Sequence, residues 1–100
     1  MDILYKKLYS IKKNPIIYIG KRSIILLRAY IDGYVDRIME ENPDYTSTFW
    51  GFHDYVVEYY KVFSNHNWDR IITAYTSDDD MAFDMFYTLL DKYQDQISAK

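Results

Sequence analysis

Apolar residues recur at three- and four-residue intervals along almost the whole chain, and that spacing builds helices with one buried face rather than strands. Leu4, Leu8 and Ile11 set the pattern, with lysines between them, and Asn14-Pro15 interrupts it, which predicts a short amphipathic helix over residues 2–13. Ile16-Ile17-Tyr18-Ile19-Gly20 is rich in β-branched residues and too short for a helix of that kind, so it reads as an extended buried connector. Ser23 is placed to cap a long helix carrying Ile24, Leu27, Ile31, Tyr34 and Ile38, ended at Asn42-Pro43. Gly33 lies inside it. A mid-helix glycine costs about 1 kcal/mol relative to alanine, so its presence predicts the close approach of another helix or a bulky ring.

Thr46 or Ser47 opens the next helix, with Phe49, Phe52, Val56, Tyr59 and Phe63 on one face, and Ser64-Asn65-His66-Asn67 reads as a turn. Trp68, Ile71, Ile72 and Tyr75 form a short helix. Ser77-Asp78-Asp79-Asp80 then opens a last one bearing Ala82, Phe86, Leu89, Leu90, Tyr93 and Ile97. No alternation is long enough to build a sheet. The expected fold is all-α: a single compact domain over residues 1–100, of four to five helices, with at most one short extended segment at residues 16–19.

With 100 residues, three glycines and two prolines, the chain is long enough for its own core and is not of low complexity. The absence of cysteine removes disulfides, thiolate metal sites and cysteine nucleophiles, and fits a reducing compartment. The N-terminus lacks an apolar signal region, and no apolar run approaches the roughly 20 residues of a membrane span. A cytoplasmic protein without a membrane partner is the expectation.

Charge is divided unevenly. The first thirty residues carry seven basic residues (Lys6, Lys7, Lys12, Lys13, Lys21, Arg22, Arg28) against Asp2 alone, and the remainder carries five basic against fourteen acidic, which together give −3. Such asymmetry governs which partners a small protein attracts. The basic segment suits phosphate contacts, but the acidic remainder and an isoelectric point of about 5.2 oppose nucleic acid, and no helix-turn-helix signature is present.

Catalytic and metal signatures are weak. Asp78-Asp79-Asp80 sits where carboxylates answer a helix's positive end, and an EF-hand loop would need ligands spread over twelve residues with a central glycine. His53-Asp54 resembles a metal-binding dyad, yet only His66 and Asp69 are available to complete it, and capping and hydrogen bonding are the more ordinary roles. No nucleophile elbow occurs. Neither an enzyme nor a cofactor is expected. Twelve tyrosines exceed what the apolar stripes use, and Tyr5, Tyr9, Tyr55, Tyr60 and Tyr87 are expected to fall off or beside them, as half-exposed rings or interface residues.

Two resemblances bear on function. Pro15-Ile16-Ile17-Tyr18-Ile19-Gly20 and the helix after Ser23 resemble locally the start of the type II topoisomerase ATPase domain, where Asp32 and Asp36 would fall on the nucleotide-binding helix. The later glycine-rich motifs of that ATPase are missing, because no glycine follows Gly51. Over nearly its full length the chain is similar to small bacterial proteins of the kind found as immunity partners of toxins. The matching segments are Pro15 to Gly20, Ile31-Asp32-Gly33-Tyr34, Phe52-His53-Asp54-Tyr55, Asn67-Trp68 with Ile71-Ile72, and Ala82 to Phe86 before Leu89-Leu90-Asp91.

That resemblance implies an immunity protein that binds and blocks a basic protein toxin such as a nuclease, with no small-molecule ligand. The expected docking surface is acidic and aromatic: Asp36, Glu40, Glu41 and Asp44, with Tyr45 and Trp50, and the Asp78, Asp79 and Asp80 turn as a second patch. The competing class is a small regulatory or nucleic-acid-binding module that uses the basic first helix.

Overall fold

The computed structural model describes residues 2–99, and among them are six α-helices, one 3-10 turn and no strand. They are α1 (Ile3–Lys13), α2 (Pro15–Ile19), α3 (Ile24–Glu41), the 3-10 turn (Thr48–Gly51), α4 (Phe52–Tyr60), α5 (Trp68–Ala74) and α6 (Asp79–Ser98). Their apolar faces meet in one core, and the radius of gyration of 13.4 Å is that of a compact chain of this length.

Local signals set several boundaries. The Asp2 carboxylate accepts from the Leu4 amide at 3.0 Å and caps α1, Ser23 Oγ accepts from the Leu26 amide, and Asp78 Oδ1 accepts from the Met81 amide at 2.8 Å to open α6. Residues 15–19 are helical and not extended. Pro15 occupies the first helical position, where its missing N–H costs nothing, and Gly20 closes the turn at φ 83°, a left-handed conformation that glycine adopts without strain. Two residues of that turn, Tyr18 and Ile19, pack against the core, which overrides the β-branched preference. This short helix brings the total to six rather than four or five.

The aromatic stripe read through residues 49–63 also divides. Ser47 caps the 3-10 turn, α4 begins only at Phe52, and Lys61 stops it in a left-handed conformation at φ 54°. Phe49, Phe52 and Val56 are buried, while Tyr59 and Phe63 are exposed. Tyr75 likewise points to solvent, whereas Tyr5 and Tyr87, expected off the stripes, are buried. Tyr87 manages this by donating its hydroxyl to the Leu8 carbonyl at 2.6 Å, so the ring enters the core with its polar atom satisfied.

Gly33 departs from expectation too. It is exposed, and apart from its chain neighbours and its own helix backbone no atom lies within 4 Å of where a Cβ would stand, so no packed neighbour requires a glycine there. Gly33→Ala is therefore expected to stabilise the protein by about 1 kcal/mol through helix propensity and lower unfolded-state entropy. Chemical denaturation checks it, and a loss of stability would show that an unseen constraint acts at this position. Gly51 contrasts with it: a Cβ there would meet Tyr93 Oη at 2.5 Å, where that hydroxyl donates to the Thr48 carbonyl.

Candidate functional site

A cleft of about 420 Å³ opens between α3 and the segment that runs through the 3-10 turn, with the start of α5 at its end. Helical spacing places Arg28, Asp32, Asp36 and Met39 along one wall, with Ile31 and Val35 beside them. Phe49 and Trp50 of the 3-10 turn, His53 of α4, and Asn67 and Trp68 complete the lining. Its chemistry is mixed: an apolar floor, an indole, and carboxylates at the edge.

Trp50 is 46% exposed although it follows the buried Phe49. It is held by a pinned turn. Thr48 Oγ1 hydrogen-bonds the Tyr5 hydroxyl at 2.9 Å, the Thr48 carbonyl accepts from Tyr93, and Tyr45 packs edge-to-face on the Trp50 indole at 6.0 Å. Asp2 anchors the approach to this turn, accepting from Tyr45 and, at 2.5 Å, from Ser47 Oγ. Burial would raise the Asp2 carboxyl, but the hydrogen bonds from Ser47, Tyr45 and the Leu4 amide hold it below the usual range. Burial and the same carboxylate push Tyr45 up to about 12.

Burial also raises Tyr5, Tyr9, Tyr87 and Tyr93. A phenol that holds its proton more tightly when folded stabilises the fold below its unfolded value near 10, and the contribution is lost as the pH climbs toward the folded value. The urea midpoint is expected to be level near neutrality and to fall steadily above about pH 10. A midpoint unchanged well beyond that point would contradict the burial of these hydroxyls.

Arg28 is the cation of the cleft, and it is already engaged. Nη1 donates to Asp69 Oδ1 at 2.7 Å, Nε lies 3.5 Å from Asp32 Oδ2, and the guanidinium stands 5.7 Å from the Trp68 ring centroid. With its amide oxygen turned toward Arg28, Asn67 accepts from both terminal nitrogens at 2.8 and 3.1 Å. His53 Nδ1, buried in this region, has no hydrogen-bond partner among the described residues.

The residues expected to form the docking surface are distributed over three places. Asp36 and Trp50 line the cleft, and Tyr45 buttresses Trp50. Glu40 and Glu41 pair with Arg37 at 3.2 and 2.8 Å on the exposed side of α3, and Asp44 is exposed in the loop that follows. Asp78, Asp79 and Asp80 lie elsewhere: Asp78 caps α6, Asp79 approaches Lys21 Nζ at 3.9 Å, and Asp80 accepts from Arg22 Nε at 2.9 Å. Arg22 also bonds Asp84. The basic segment thus discharges part of its excess against the acidic start of α6.

Lys7 and Lys12 stand over tyrosine rings, Lys7 at 4.9 Å from Tyr18 and Lys12 at 5.6 Å from Tyr87. Lys6 and Lys13 are exposed on α1. His53, Asp54, His66 and Asp69 do not converge, since Asp69 is held by Arg28 while Asp54 and His66 are exposed; no group of three or more potential ligands is placed to hold a metal among the described residues. Of the cleft residues, Met39 and Val35 had no place in the sequence reading, and Asn67 had one only as a turn residue beside Trp68. The i, i+4, i+7 run of Asp32, Asp36 and Met39 on α3 was the available signal.

No protein-family model, no curated protein and no solved structure matches the chain. No helix among the described residues is long and apolar enough to cross a membrane.

Proposed function

We propose that this protein is an immunity-type inhibitor that binds a basic protein toxin, such as a nuclease, over the cleft between α3 and the 3-10 turn. It acts by covering its partner rather than by turnover, in the cytoplasm of the bacterium that makes it. The observation that carries this reading is the half-exposed Trp50, held rigid by Tyr45 and Thr48 beside the exposed carboxylates of Asp32 and Asp36. Rigid aromatic anchors dominate binding energy, and surrounding charges of one sign accelerate the encounter with a partner of the other.

The test is capture with the tagged protein from its native cell, followed by expression of each captured protein in a susceptible host with and without this chain. A stoichiometric basic partner whose toxicity is blocked is the expected result, with protection reduced by Trp50→Ala and by Asp36→Lys, each weakening affinity by about tenfold or more. Protection that survives both substitutions would place the interface elsewhere. Recovery of nucleic acid, bound with steep salt dependence, would move the function to the lysines of α1.

A further inference from the structure

We infer that the cleft receives an arginine side chain of the partner, stacked on the Trp50 indole and paired with Asp36. The inference rests on the inhibitor reading for the identity of its partner, and it specifies the contact chemistry of the same site. The sign of the required charge follows from what surrounds the cleft. Arg28 brings one positive charge, whereas Asp32, Asp36 and Asp69 bring three negative ones, so the lining and its backing carry a net −2.

An anion meets a cation that is already engaged at Arg28: Nη1 donates to Asp69, the Asn67 oxygen accepts from Nη1 and Nη2, and Asp32 lies 3.5 Å from Nε, so two carboxylates offset its single positive charge. Asp36 is different. It is exposed and makes no ion pair among the described residues. It also stands one helical turn from Asp32, a like-charge spacing that mildly destabilises a helix and that an incoming cation relieves. The shape selects further. Val35 and Met39 offer apolar surface to a long aliphatic stem, and an indole favours a planar, weakly hydrated guanidinium over an ammonium.

Isothermal titration of the intact protein with a hexa-arginine peptide at low salt tests this, with hexa-lysine as comparison. Asp36→Asn is expected to weaken hexa-arginine binding by about fivefold or more, through loss of a charge-assisted pair. Asp95→Asn, an exposed change of equal charge on α6, is expected to weaken it less than about twofold. Trp50→Ala is expected to weaken hexa-arginine more than hexa-lysine. Equal weakening by Asp36→Asn and Asp95→Asn would reduce the effect to bulk charge and overturn the site, as would absence of binding. Equal affinity for the two peptides would overturn the choice of arginine. The peptide measurement requires no toxin: if it fails while Asp36→Lys still abolishes protection, docking over the cleft survives without the arginine anchor.

Discussion

Phe52→Ala is expected to remove about 3–5 kcal/mol of folding stability, the range for truncating a fully buried phenylalanine. The side chain has no exposed surface and lies at the centre of an aromatic cluster. Phe49 stacks on it at 5.3 Å, and Phe86, Trp68 and Tyr93 meet it edge-on at 5.3, 5.6 and 5.8 Å. Those rings come from the 3-10 turn, α5 and α6, so the cavity would open where three elements converge, and none can close it without moving the others. For a domain of this size each kcal/mol shifts the melting temperature by roughly 4–8 °C. Since total stability is typically about 5–15 kcal/mol, the variant is expected to be partly unfolded at modest temperature.

Phe63→Ala provides the contrast. Phe63 lies on the same helical spacing in the sequence but is fully exposed, and its truncation is expected to change stability by less than about 0.5 kcal/mol. Thermal melts of the two variants check both statements. Similar losses in the two would contradict the termination of α4 at Lys61.

Arg28→Met is expected to cost about 3 kcal/mol, because it leaves Asp69, only 5% exposed, without its cation in the interior. The reciprocal change is milder in kind, since the guanidinium is partly exposed and can turn toward water. The double variant Arg28→Met with Asp69→Leu is expected to recover much of the loss, as buried ion pairs replaced by apolar residues of similar size often are near neutral. A double-mutant cycle by chemical denaturation measures this. A single-variant loss below about 1 kcal/mol would mean that water reaches Asp69 and that the pair adds little. The pair also matters to the cleft: it joins α3 to α5 and fixes the wall opposite Trp50.

Much of the helical frame is legible in the chain. Leu4, Leu8 and Ile11 lie on the buried side of α1, and Ser23 and Asp78 cap the helices they precede. Ala82, Phe86, Leu89 and Leu90 are buried on α6 as their spacing requires. These agree because capping and 3.6-residue periodicity are local and need no knowledge of the rest of the fold. Residues 15–19 misled for the opposite reason: their β-branched composition speaks for extended backbone, and the helix depends on Pro15 and Gly20 at its ends and on Tyr18 and Ile19 packing against the core.

The site divides along the same line. Asp36 and Trp50 were visible as acidic and aromatic surface residues, but their placement on facing walls of one cleft arises from the pinning of the 3-10 turn by Asp2, Tyr5 and Tyr93, through hydrogen bonds that span 43 to 45 positions of the chain. The neutralisation of Asp79 and Asp80 by Lys21 and Arg22, and the burial of Tyr87 beneath the Leu8 carbonyl, depend equally on contacts between distant segments. By itself the sequence determined the all-helical class, most helix faces and the excess of acidic charge, because each is set by residues within a few turns of one another. Only the tertiary structure decided which charges stay unpaired, which aromatic rings reach water and where the cleft lies, because each depends on what another helix brings to the same place.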